Sequence, residues 1–287
     1  MLEDDRPSLH SRLWRIVRAV VLVWLILVAF FALAQRSMIY FPTKDDATSL
    51  HAQASASGLI PWTNAHGEVI GYRTPPEEGA PLPPASVVIF HGNAGHAIHR
   101  ADYAQILRGA APERALSVFI LEYPGYGARS GNPSQETILA AAEDAIHSLP
   151  EGAPVILLGE SIGTGVAAAM AAKFPARIAG LLLLTPFNSL VAAAQHHYPL
   201  LPVRWILRDK YPSADWLKSY TGPVSVVLAA KDTIVPAELG RKLYDGYSGP
   251  KHLFTAQGAD HNDLLYTLTP ADWRSSLGFL LPRSTAP

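Results

Sequence analysis

Apolar positions fall along this chain in short unbroken runs rather than alternating ones. Ser86–His91, Leu116–Tyr123, Pro154–Glu160, Ile178–Thr185, Pro223–Ala230 and Lys251–Gln257 each read as a strand buried on both faces. Helical stretches separate them: Ala97–Ala110, Ser134–Leu149, the residues up to Phe174, Ala237–Tyr247 and Asp263–Leu281. Strand and helix alternating in this way predict an α/β domain, a mostly parallel central sheet with helices on both faces. Glu68–Thr74 predicts a further strand, and Pro75–Pro84 a proline-rich loop. Pro186–Gly222 breaks the rhythm, and its aromatic, apolar part at about 187–216 predicts a cap-like insertion over one end of the sheet.

One apolar run is too long for a strand. Ala19–Ala34 is sixteen apolar residues without a break, preceded by Arg6, Arg12, Arg15 and Arg18. With Ile16 and Val17 the helix would be roughly 28 Å long, at about 1.5 Å per residue, which is near the requirement for a membrane span. The rival is a signal peptide cleaved near Ala34, where "ALA" forms an A-x-A site. The run is longer than an ordinary signal core, which favours an uncleaved anchor at 16–35. The arginine bias predicts a cytoplasmic N-terminus at 1–15 and a domain at 39–281 on the other side of the membrane, periplasmic if the source is bacterial.

The formal net charge is −1, so charge gives no reason to expect nucleic acid as a partner. The absence of cysteine excludes disulfides, thiolate nucleophiles and Cys-based zinc sites. The chemistry is then sought where the strands end, because ligands of open parallel sheets bind outside their carboxyl ends.

At one such end stands G-x-S-x-G, Gly159 to Gly163, between the run "PVILL" and a small-residue helix. This is the setting of a nucleophile elbow, with Ser161 the candidate nucleophile and the Ile162 N–H a candidate oxyanion donor. "HGNAGH" at His91–His96 offers the N–H of Asn93 as the second donor. Asp232 follows the run Pro223–Ala230, and His261 lies in the loop after the last strand. Serine, acid and histidine thus arrive in the order the elbow architecture requires. His261 is the candidate base and Asp232 the residue that orients it. Tyr123 and Tyr126, in "EYPGYGARSG", are candidates to line a substrate pocket. Asp260, Asp263 and Glu160 are less suited as the acid. His196 and His197 are adjacent, a poor metal pair on a helix, and neither a metal nor an organic cofactor is expected.

Taken together, "SMIYFPT", "FHGNAGHAIHR", "EYPGYGARSGNPS", "LLGESIGTGVA", "LLLLTPFNSL", "YPLLPVRWILRDKY", "KDTIVP" and "GADHND" occur in an order that resembles the α/β-hydrolase superfamily. More narrowly, they resemble its small single-pass-membrane α/β-hydrolase-domain enzymes. The resemblance implies the α/β-hydrolase fold and a Ser-His-Asp hydrolase of ester or thioester bonds. It assigns the nucleophile to Ser161, the acid to Asp232, the base to His261 and the oxyanion donors to Asn93 and Ile162. Two departures, His96 where relatives often have Asn and Ala229-Ala230 where they usually have His-Gly, bear on the pocket rather than on the reaction. The expected partners are an acyl ester or thioester, lipid-like in character, and the membrane itself. A serine peptidase or amidase on the same triad is the alternative, and a non-catalytic binding protein on a hydrolase fold the third reading.

Overall fold

The computed structural model describes residues 9–76 and 82–281, so part of the expected 1–15 segment and of the Pro75–Pro84 loop lies outside the described residues. Eight strands build the main sheet: β1 (Ile60–Thr63), β2 (Val69–Arg73), β3 (Leu82–Phe90), β4 (Arg114–Leu121), β5 (Val155–Glu160), β6 (Ile178–Leu184), β7 (Val224–Ala229) and β8 (Lys251–Ala256). Their spatial order is β8-β7-β6-β5-β3-β4-β2-β1. Strand β2 runs antiparallel to both neighbours, and the other pairings are parallel.

The unbroken apolar runs are explained by two cores, one on each face. Val88, Phe90, Leu157 and Leu183 point into one, while Val87, Ile89, Ile156, Leu158 and Leu182 point into the other. Successive side chains of a strand face opposite ways, so a strand covered on both sides has no polar face to show. Each such aliphatic side chain contributes about 1.5–3 kcal/mol when fully buried.

The helices are α1 (Leu9–Ile39), α2 (Ala47–Ala56), α3 (Asp102–Ala110), α4 (Gln135–His147), α5 (Ile162–Lys173), α6 (Leu190–His197), α7 (Val203–Ile206), α8 (Ser213–Trp216), α9 (Ala237–Gly246), α10 (Leu264–Thr267) and α11 (Pro270–Leu280). Short α6, α7 and α8 occupy the expected insertion. Helix α5 is buried from Ile162 to Ala171, because its glycines and alanines let it lie close against the sheet.

Several boundaries differ from expectation. Helix α1 extends beyond 16–35 at both ends, and Arg12–Ile39, with mean hydropathy 2.8, is long and apolar enough to cross a membrane. Helix α2 and edge strand β1 were unforeseen in the polar stretch before Gly58 and beyond it. The helix is started by Asp46, whose side chain accepts from the Ser49 N–H. Pro83 and Pro84, expected in a loop, lie in β3, where the pairing register with β4 shifts between Leu82 and Ala85. That irregularity is where a strand tolerates residues without an N–H. The closing helix is two helices, α10 and α11, because Thr269 and Asp272 form a capping box around Pro270 and restart it.

Candidate active site

The sheet register sets the site. Phe90 of β3 pairs with Gly159 of β5, so the His91–His96 turn and the elbow leave the sheet side by side. Ala256 of β8 pairs with Ala229 of β7, which brings the loops carrying His261 and Asp232 together.

Ser161 stands between β5 and α5 at φ 53° and ψ −116°, a left-handed conformation that a non-glycine residue holds only under constraint. The constraint comes from both sides. Its N–H donates to the Leu184 carbonyl at 3.0 Å, and its own carbonyl accepts from Thr164 N at 2.9 Å. The two glycines are steric necessities. A Cβ on Gly159 would lie 2.6 Å from Gly163 O and Thr164 Cα, and one on Gly163 would overlap the Phe90 carbonyl oxygen.

His261 Nδ1 and Asp232 Oδ2 are 2.7 Å apart, with side chains only 8% and 1% exposed. Asp232 Oδ1 accepts from the N–H groups of Ile234, at 2.9 Å, and Val235, at 2.6 Å, which fixes its rotamer. No hydrogen bond joins the His261 ring to Ser161 Oγ among the described residues; such bonds are often longer in ligand-free hydrolases. Asp260 plays a part that its sequence position did not disclose. It accepts from His261 N at 2.7 Å and Thr233 N at 3.0 Å, tying the two loops together. These two backbone donors hold its carboxyl below the ordinary aspartate range.

The N–H groups of Asn93 and Ile162 donate no hydrogen bond among the described residues, and both residues line one cavity with Ser161. Asn93 is held from behind. Its carbonyl accepts from Phe41 N at 2.9 Å and Tyr126 Oη at 2.7 Å, and its side chain donates to Ile39 O at 2.8 Å. Tyr126 and Tyr123 therefore do not line the cavity as expected. Both are fully buried, with Tyr123 Oη donating to His91 O at 2.9 Å, because each hydroxyl is used to brace the turn. Glu160 meets Arg100 in a two-pronged bond at 2.7 and 3.0 Å. Burial alone would raise its pKa, but the guanidinium outweighs it and holds the carboxyl below its usual value.

Two cavities lie at this end of the sheet, with no lining residue in common. One, about 250 Å³, is lined by Ser161 and by apolar side chains that include Phe187, Leu190 and Val203. The other, about 430 Å³, is more polar and is lined by His261, Glu160, Arg100, Thr185 and Tyr266. Phe31, Gln35 and Met38 of α1 also line the first cavity, which nothing in the sequence pattern indicated.

Residues 87–281 match the alpha/beta hydrolase family. An uncharacterized protein of Mycobacterium tuberculosis is 34% identical over 254 residues, covering 86% of this chain and 88% of the relative. Alpha/beta hydrolase domain-containing protein 17B of Homo sapiens is 27% identical over 186 residues, 62% of this chain and 61% of that protein. Among solved structures, Est1E from Butyrivibrio proteoclasticus with ferulic acid bound aligns with a TM-score of 0.55 at 18% identity, over 73% of this chain and 96% of that one. At that identity the likeness speaks for the fold.

Proposed function

The chain belongs to the alpha/beta hydrolase family, and on that premise we propose that it is a serine hydrolase of carboxylic ester or thioester bonds. The observation that carries the reading is Ser161 in its left-handed elbow, opening on an apolar cavity beside the Asn93 and Ile162 N–H groups, which donate no hydrogen bond among the described residues. Ser161 Oγ attacks the acyl carbonyl while His261 Nε2 takes its proton. The hydrogen bond to Asp232 keeps the other proton on Nδ1 and stabilises the imidazolium. The tetrahedral oxyanion is received by the N–H groups of Asn93 and Ile162. His261 then protonates the leaving alcohol or thiol, and an activated water releases the acid from the acyl-enzyme. In this reading the acyl group occupies the apolar cavity and the leaving group the polar one, on the side where His261 stands.

A fluorophosphonate tests this directly. The protein is expected to carry one adduct, at Ser161, with labelling lost in Ser161→Ala. Labelling of the variant equal to that of the wild type would sink the assignment. Turnover of aminoacyl anilides faster than p-nitrophenyl esters would move the chemistry to amides.

The arginines ahead of the apolar run Ala19–Ala34 lead us to place the N-terminus in the cytoplasm and the catalytic domain across the membrane. Because the chain has no cysteine, Lys218→Cys offers a single thiol at a side chain 75% exposed. A membrane-impermeant maleimide is expected to label it on intact cells. Labelling only after lysis would reverse the topology.

A further inference from the structure

Helix α1 does more than enter and leave the domain. Its last turns are bolted to the insertion. Gln35 Nε2 donates to Ile206 O at 3.0 Å, and Gln35 Oε1 accepts from Arg208 N at 2.7 Å. Arg36 pairs with buried Asp209 at 3.3 Å, and Tyr40 Oη donates to the same carboxylate at 3.0 Å. The tie continues up the helix: the Phe31 and Tyr198 rings lie 4.9 Å apart, and Trp24 Nε1 donates to Leu200 O at 3.0 Å. Trp24 is ten residues before Ala34, the end of the apolar run, or about 15 Å along the helix. If α1 spans a bilayer, the segment Tyr198–Ile206 lies alongside its hydrocarbon-spanning part.

The carbonyls and apolar side chains of that segment suit such a place. Lipid offers no hydrogen bonds, so backbone groups there must be paired internally. Every carbonyl from Tyr198 to Pro202 accepts one, from Gln195, Trp24 or nearby backbone. Pro199 and Pro202 have no N–H to satisfy, which leaves the Leu200 N–H as a group that donates no hydrogen bond among the described residues. Leu200 and Trp205 project outward, 84% and 82% exposed. Against acyl chains these side chains would leave water, which is favourable. Arg204 within the segment and Arg208 and Lys210 just after it are exposed, with side chains long enough to snorkel toward lipid headgroups.

We propose that α1 and the insertion together form a membrane-embedded acyl site, whose substrate is a fatty-acyl ester of a small polar alcohol drawn from the surrounding leaflet. The acyl chain lies between Phe31, Met38 and Ile39 on one side and Leu190, Val203 and Ile206 on the other, with Ser161 at the inner end. The polar cavity beside His261, about 430 Å³, has room and hydrogen-bonding side chains for a glyceryl-sized headgroup. The inference rests on the ester hydrolysis proposed above.

The full chain in phosphatidylcholine vesicles tests it, with a hexadecyl fluorophosphonate that carries a diazirine near its tail. Expected are an adduct at Ser161 and, after irradiation, cross-links to peptides holding residues 31–39. A Ser161 adduct with cross-links only elsewhere overturns this inference and leaves the hydrolase reading standing. No Ser161 adduct removes both. With monoacylglycerols in the same vesicles, Met38→Trp narrows the cavity and is expected to lower the palmitoyl-to-butyryl rate ratio about ten-fold or more. Met38→Ala is expected not to lower it. An unchanged ratio in the tryptophan variant counts against α1 as a wall. Leu200→Asp with Trp205→Asp is expected to reduce turnover of monopalmitoylglycerol in vesicles more than in detergent micelles; equal effects would remove the embedded rim. Faster cleavage of an S-palmitoyl peptide than of monopalmitoylglycerol would replace the small alcohol with a polypeptide.

Discussion

Ser161→Ala is expected to lower kcat on a p-nitrophenyl ester by about 10⁶, and Asp232→Asn by about 10⁴. The double variant is expected to be no slower than Ser161→Ala alone. The reasoning is that the three groups act as a unit. Without Oγ there is no nucleophile for His261 to deprotonate, so the orientation supplied by the 2.7 Å Asp232–His261 bond has nothing left to assist. With Asn at 232 the ring is free to take the other tautomer, presenting an N–H rather than a lone pair toward Ser161. The slower Ser161→Ala enzyme should still exceed the uncatalysed rate by about 10³–10⁴, the share left to the oxyanion donors and binding. Steady-state kinetics on the full chain in detergent, with thermal unfolding to show that each variant folds, make the comparison. A Ser161→Ala rate within ten-fold of wild type would refute the mechanism, and losses that multiply in the double variant would separate Asp232 from the serine's task.

The central strands were legible because a parallel sheet covered on both faces demands unbroken apolar runs, and few other structures do. Ser161 was legible because its neighbours, Gly159 and Gly163, are dictated by the close approach of β5, α5 and β3. Asp232 and His261 were singled out by their order along the chain, and the register of β7 with β8 brings the loops that carry them together. What escaped was whatever depends on a residue's partner rather than its type. Tyr123 and Tyr126 carry the same signal whether they line a pocket or brace a turn, and only the 2.9 and 2.7 Å bonds to the carbonyls of His91 and Asn93 decide it. Asp260 was set aside as an acid because it does not follow a strand, yet it accepts from the His261 N–H and so fixes the loop that carries this candidate base. That α1 is long and apolar enough to cross a membrane was legible from its composition. Its place in the cavity wall was not, since Phe31, Gln35 and Met38 face residues more than 150 positions away.

Gly163→Ala is expected to damage stability and activity together, in contrast to the same change elsewhere. A methyl group there would overlap Phe90 O and stand 2.8 Å from His91 O. Both atoms are backbone, at the point where β3 becomes the turn that presents Asn93, so no side chain can swing aside. Either α5 lifts from the sheet or the turn moves, and each displaces one of the two candidate oxyanion donors relative to Ser161. Overpacking of this kind costs about 1–3 kcal/mol or more, and loss of one donor about 10²–10³ in kcat. Gly278→Ala is the control. Gly278 lies in α11, and a Cβ there meets nothing within 4 Å, so the better helix propensity of alanine is expected to raise stability by up to about 1 kcal/mol without touching the rate. The two glycines separate the reasons a helix can contain one. At 278 the residue is a conformational cost that alanine removes. At 163 it is the clearance that lets strand, turn and helix converge on a single serine, and a variant there that melts and turns over like wild type would show that this convergence is not what makes the site.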